Sequence, residues 1–328
     1  MRRKAFHLRD WGLTVTYSAL EAKGMSIYAV LTPATVCRAL REAGFPHPAE
    51  ALHIDAREER WAVSLPDGHI AWFPASEAGV TRLAVERRVL GLLTKRCSFR
   101  VPEILFVSNS GFDVRRMVPG RCDPWVLYRR CQADRQRAQK IGRAIGQILV
   151  EQHTGIVEAD AAGWLRQHVP WPETGAWIGE PLPRVINDRG LIRALADVIE
   201  EYEGMAVDAA DRALVHGDLG LHNLALDHAD AVNGVFDYDG AAWADRHHDF
   251  RYLLFDVGRE DMLDAALRIY EPVVERCLDR NRIPLYNAAC AIGYLAFRAG
   301  VPPEQNSCGR TLVEDLQWAR TALAKLAS

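Results

Sequence analysis

Apolar residues change their period along this chain, and the change divides it. Trp61-Ala62-Val63-Ser64-Leu65 alternates in the two-residue rhythm of a strand, Pro66-Asp67-Gly68 breaks it, and Ile70 to Phe73 resumes it, which predicts a hairpin. Ile104 to Val107 and Phe112 to Val118 flank Asn109-Ser110-Gly111 as another. Between the two, Glu77 to Lys95 carries Leu83, Leu90 and Leu93 at helical spacing. Upstream, Thr32-Pro33 offers a cap and a first-turn proline to a helix that Gly44 ends. After Pro119-Gly120 long helical stretches take over. One runs from about Ala133 to His153, with Ile141, Ile145, Ile148 and Leu149 on one face, and others open at Leu191, Met262, Pro284 and Thr311. The pattern predicts an α+β chain with a small antiparallel-sheet lobe over residues 25–118 and a larger helical lobe over 119–328. Residues 1–24 show no periodicity and are expected to be an extension without which a chain starting at Met25 still folds.

Composition adds limits. A length of 328 residues with 49% hydrophobic content suits two lobes better than one small module. The net charge of -3 comes without a long basic run, so neither nucleic acid nor an anionic membrane is the expected partner. No apolar stretch reaches membrane-spanning length, and the N-terminus lacks a signal-peptide pattern. The 7 cysteines are odd in number, scattered and without a Cys-x-x-Cys pair, which fits reduced thiols and a cytoplasmic location. Charge is uneven, however. From Asp211 to Asp261 eleven acids face four arginines, and an acidic floor of that kind could hold magnesium and draw in a cationic substrate.

The candidate chemistry lies in that stretch. His216-Gly217-Asp218 is followed by Asn223, and Gly234-Val235-Phe236 leads to Asp237. Ala213 to Val215 reads as a strand entering the first turn and Asn223 to Leu226 as one leaving it. Asp227 to Asp230 turns the chain, and Val232 to Phe236 returns as a strand ending at Asp237. Phosphoryl transfer needs a carboxylate to orient the attacking hydroxyl and oxygen ligands to hold magnesium on the nucleotide. Asp218 suits the first task, Asn223 and Asp237 the second. His216, Gly217, Asp218 and Asn223 at these offsets are expected by chance in on the order of one chain in several hundred from average composition.

These motifs resemble the aminoglycoside phosphotransferase-like kinases, relatives of the protein kinases. The resemblance implies a protein-kinase-like two-lobed fold, with Asp218 as catalytic base, His216 bracing the catalytic loop, and Asn223 and Asp237 as magnesium ligands. Asp245 and Asp249 would be structural acids. Val118-Pro119-Gly120 resembles the family's hinge, which makes Met117 and Val118 nucleotide-binding candidates. Glu86 matches the helix glutamate that such enzymes pair with a strand lysine. The lysine itself is missing. Trp72 stands in its place, and Ala51 to Leu65 contains no glycine to form a phosphate-covering loop. Arg57, Arg60 and Arg82 are the candidates to supply the charge. The implied activity is transfer of the terminal phosphate of a magnesium nucleotide, ATP or GTP, to a hydroxyl of a small molecule. The acceptor could be an aminoglycoside, or a macrolide, sugar or amino acid. Trp72 and the glycine-free hairpin keep open a rival from another class, a non-catalytic nucleotide- or metabolite-binding protein of the same fold.

Overall fold

The computed structural model describes residues 31–326 apart from 58, 173, 256–259 and 308, so the extension over 1–24 lies outside the described residues. The chain divides into two compact units. One takes in the described residues up to Lys95 together with Arg100–Val118, the other Arg96–Phe99 together with the residues from Pro119 onward.

The first unit opens with α1 (Pro33–Glu42), where the Thr32 hydroxyl accepts the Thr35 amide and Thr35 bonds back in a capping box. Then come β1 (His53–Arg57), β2 (Arg60–Ser64), β3 (His69–Pro74), α2 (Glu77–Arg96), β4 (Glu103–Val107) and β5 (Asp113–Arg116). The strands form one antiparallel sheet in the order β1-β2-β3-β5-β4. Val63, Ala71, Phe73, Phe112 and Val114 bury one sheet face against Val36 and Leu40 of α1, and the Phe73 and Phe112 rings stack at 4.5 Å. Strand alternation sends Arg60, Trp72 and Arg115 to the opposite face, the side of Glu86.

The second unit contains α3 (Pro124–Ala133), α4 (Arg135–Gly155), α5 (Glu158–Ala161), α6 (Gly175–Gly179), α7 (Arg189–Glu203), β6 (Arg212–Val215), β7 (Leu224–Leu226), β8 (Val232–Val235), β9 (Ala242–Asp245), α8 (His248–Phe255), α9 (Glu260–Val274), α10 (Arg282–Arg298) and α11 (Leu312–Ala324). Where one helix was expected to begin near Ala133 there are two. Asp134 is extended, and its carboxylate accepts the Gln136 and Arg137 amides, ending α3 and capping α4 in one step. The start of α3, Asp123 before Pro124, is itself a cap-and-proline signal that periodicity alone passes over. A second difference concerns the strands. β8 stops at Val235, short of Asp237, and the unpredicted β9 pairs with β6 in the register Arg212↔Asp245 to Val215↔Ala242. β7 and β8 pair with each other, so the two segments carrying the candidate chemistry are neighbouring strands. One apolar cluster of this unit gathers Leu195, Ile199, Leu285, Ile292, Leu295 and Ala319 from α7, α10 and α11.

Candidate active site

The loop between β6 and β7 is held by its backbone. Gly217 adopts φ 79°, and a Cβ there would come within 2.6 Å of the Gly240 carbonyl oxygen, so only glycine fits the turn. The amides of His216 and Gly217 donate to opposite oxygens of Asp249, at 2.9 and 3.0 Å. Gln152 Nε2 donates to the same carboxylate at 2.9 Å and His153 Nε2 lies 3.1 Å from it, all without solvent contact at Asp249. From the other side the fully buried Arg251 donates to the Gly217 carbonyl at 2.6 Å. A charged acceptor below and a charged donor above make each of these bonds stronger than its neutral counterpart.

His216 joins this loop to the second motif. Its Nδ1 accepts the Asp218 amide at 3.2 Å, which leaves Nε2 protonated to donate to the Phe236 carbonyl at 3.0 Å. Buried, with both ring nitrogens committed to backbone, His216 is a positioning residue for Asp218 on one side and for the approach to Asp237 on the other. Asn223 sits in a short turn over Leu221–Asn223, and its side-chain amide nitrogen donates to the Asp218 carbonyl at 2.8 Å and to Asp218 Oδ2 at 3.2 Å. That geometry leaves the amide oxygen as the Asn223 atom suited to a cation. Its backbone carbonyl accepts the Phe236 amide at 3.1 Å, one residue before Asp237, which takes a left-handed φ of 68°. An amide oxygen and a carboxylate are hard oxygen ligands of the kind magnesium takes, so this pair fits the metal.

The Asp218 side chain is 42% exposed. Loss of water around it would raise its carboxyl, but His222 at 3.1 Å, the Tyr252 hydroxyl and His216 outweigh that and hold it down, at about 2. His222 and Tyr252 are the site residues that sequence reasoning missed. His222 stands four positions after Asp218 and next to Asn223, a spacing that could have flagged it. Tyr252 carries no local signal. The Cys122 thiol donates to the His222 carbonyl at 3.0 Å, tying that turn to the segment before α3.

In the first unit, Glu86 is 2% exposed and shared by two arginines, Arg60 Nη1 at 3.0 Å and Arg115 Nη1 at 2.9 Å. Arg115 spends its remaining nitrogens on the buried Asp113, at 2.7 and 3.1 Å, and Arg87 reaches the same carboxylate at 2.9 Å. The Arg60 guanidinium lies over the Trp72 ring, 4.3 Å from its centroid, with Arg115 at 5.9 Å. Trp72 is therefore the aromatic platform of an arginine-glutamate network. Of the arginines expected to supply charge, Arg60 meets Glu86, Arg57 stands across the strands from Arg60, and Arg82 lies one helical turn before Glu86. Met117 follows β5 with its amide on the Gly68 carbonyl at 3.2 Å, and Val118 is buried.

Residues 36–279 match the family described as "Phosphotransferase enzyme family". The chain belongs to that family. By that membership it is a phosphotransferase. A GDP complex of a mutant aminoglycoside 2'-phosphotransferase-IIIa is 16% identical, with 90% of this chain and 95% of that chain covered and a TM-score of 0.61. The streptomycin-ATP ternary complex of APH(2")-IIa is 15% identical over 90% and 97% of the two chains, with a TM-score of 0.58. The macrolide 2'-phosphotransferase MphH from Brachybacterium faecium is 19% identical over 88% and 97%, with a TM-score of 0.57. These likenesses concern the fold. No curated protein matches the sequence. Among the described residues no helix of this phosphotransferase is long and apolar enough to cross a membrane.

The acidic floor expected between Asp211 and Asp261 is largely spent. Asp211 meets Arg276 at 2.6 Å and Arg282 at 3.3 Å, and Asp245 takes Arg282, Tyr286 and His247 at 2.5 to 2.9 Å. Asp230 is surrounded by Arg121, Arg130 and Arg137, and Asp249 lies under the loop. Arginines from outside that stretch neutralise what a local charge count leaves over.

Proposed function

We propose that this phosphotransferase passes the terminal phosphate of a magnesium nucleotide to a hydroxyl of a small molecule, with Asp218 as the group that orients and deprotonates that hydroxyl. The observation carrying this reading is the Asp218 carboxylate itself, half-exposed on a loop braced by Asp249 and Arg251 and fixed by His222, Tyr252 and Asn223. The acceptor oxygen attacks the terminal phosphorus, the bond to the bridging oxygen of the leaving diphosphate breaks, and the hydroxyl proton passes to Asp218. A carboxyl held near about 2 is a weak base, so its first contribution is to align the hydroxyl. Proton transfer then follows as the oxygen becomes acidic on bonding to phosphorus. Asn223 and Asp237 would hold magnesium, which would neutralise the negative charge that develops on the phosphate.

For the acceptor, the pairing of Asp211, Asp230, Asp245 and Asp249 weakens the case for a polycation drawn in by carboxylates. It favours an alcohol recognised by shape and hydroxyl contacts, such as a macrolide, sugar or amino acid, over an aminoglycoside. A non-catalytic nucleotide binder of the same fold is the second reading, suggested by Trp72 in the lysine position. Retention of Asp218, Asn223 and Asp237 opposes it, because binding alone uses neither a base nor metal ligands.

Thermal-shift titration with ATP and GTP, each with and without magnesium, tests the nucleotide, since a native-state ligand at 100 times its Kd stabilises by about 2.7 kcal/mol. Nucleotide consumption with panels of macrolides, aminoglycosides, sugars and amino acids tests the acceptor. Magnesium-dependent stabilisation together with acceptor-dependent turnover is expected. Binding without turnover on any acceptor would favour the second reading.

A further inference from the structure

The geometry points to Arg57 and Arg60 as a paired arginine clamp for the nucleotide polyphosphate, standing in for both the glycine-rich loop and the strand lysine of kinase-like enzymes. This rests on the nucleotide-dependent reading above. Arg57 and Arg60 are direct cross-strand partners at the end of the β1-β2 hairpin, so both side chains leave the same sheet face. Like charges directly opposite each other destabilise a strand pair, and Glu86 offsets this at Arg60. Arg57 Nε is, moreover, buried with no hydrogen-bond partner among the described residues.

The face is the right one. Ala62, two residues on from Arg60, pairs with Trp72, and the Arg60 guanidinium lies over that ring while Glu86 holds its Nη1 at 3.0 Å. The helix glutamate that would order a strand lysine thus orders an arginine arriving from the adjacent strand. Arg115 is the weaker candidate because Asp113 and Glu86 occupy its nitrogens. Two of the described acids nearby have other partners: Asp55, on the face of Arg57, lies 3.1 Å from His53, and the Glu59 carboxylate accepts the Ser76 hydroxyl. The hairpin end is also anchored, since the Glu59 carbonyl accepts the Ala75 amide at 2.7 Å. Gly79 permits that approach, because a Cβ there would collide with the Glu59 oxygen. A flexible glycine loop lends backbone amides to phosphates. Here the hairpin end presents two guanidinium groups, Arg60 already bonded to Glu86 through Nη1, and the guanidinium fork matches phosphate oxygens.

The test is calorimetric binding of magnesium-ATP, inorganic tripolyphosphate and adenosine to the full chain and to its Arg57→Ala, Arg60→Ala and Arg60→Lys variants, with thermal melts as fold controls. The expected result is a ten- to hundredfold loss of affinity for ATP and tripolyphosphate in each alanine variant, with adenosine binding unchanged. Arg60→Lys keeps the charge against Glu86 without the fork and should weaken ATP severalfold, which preserves the test if Arg60→Ala does not fold. ATP and tripolyphosphate bound within twofold of wild type by both Arg57→Ala and Arg60→Lys would overturn the clamp and leave the enzyme reading intact. Wild-type protein that binds adenosine but neither ATP nor tripolyphosphate would instead bring down the proposed function along with it.

Discussion

Asp249→Asn tests whether the catalytic loop is held from below as described. In the wild type, Oδ2 receives the His216 amide and Gln152 Nε2, both at 2.9 Å, and lies 3.1 Å from His153 Nε2, while Oδ1 receives the Gly217 amide at 3.0 Å. An asparagine can offer its oxygen to only one of these positions. With the oxygen in the crowded place, its NH2 group faces the Gly217 amide, leaving a buried donor unmet at a cost of about 1–3 kcal/mol. The other bonds lose the benefit of a charged acceptor, roughly halving each. Removing a desolvated carboxylate returns part of this, and bonds that share one group do not add independently. The balance is about 3 kcal/mol of destabilisation. Urea unfolding followed by tryptophan fluorescence should show the midpoint falling by roughly 1–3 M at an unchanged slope. Turnover should fall as well, because Asp218 follows Gly217 directly. A variant with wild-type midpoint and wild-type turnover refutes the bracing role.

Three further outcomes are expected. Asp218→Asn should fold normally, since its side chain is partly exposed, and lose roughly two to four powers of ten in kcat, whereas Asp237→Asn should raise the magnesium requirement and weaken nucleotide together; steady-state kinetics across magnesium concentrations separates the two. Trp72→Lys removes the platform under Arg60 and adds a third cation around Glu86, so its melt should show a loss of about 2 kcal/mol or more with no gain in ATP affinity, and tighter ATP binding would contradict the network. Burial holds His153 and His248 below the usual histidine range, with Asp249 partly opposing this at His153 and Arg251 reinforcing it at His248. The unfolded chain therefore binds protons that the folded one refuses, so stability should be flat down to about pH 6.5 and then fall by up to about 1.4 kcal/mol per pH unit for each histidine; a midpoint unchanged at pH 5.5 would show that these rings are not held neutral.

Much of this architecture is local and was therefore readable from the chain. The alternation around Trp61 to Leu65, the cap at Thr32-Pro33 and the turn at Pro66-Asp67-Gly68 each act within a few residues, and β2, β3 and α1 formed where those signals stood. The offset from Asp218 to Asn223 is local too, since one short turn lets the asparagine reach back to the aspartate carbonyl. Tertiary structure decided what local signals cannot carry. Glu86 and Arg60 lie 26 positions apart, and only the sheet register, which sets the face every β2 and β3 side chain takes, brings arginine, tryptophan and glutamate together. The acidic floor failed for a related reason. A charge count along Asp211 to Asp261 cannot see Arg130, 100 positions away, or Arg276, 65 positions away, closing on those carboxylates. Periodicity depends on the nearest turn of chain, whereas ion pairing depends on which distant segments share a face, and that is known only once the chain has packed.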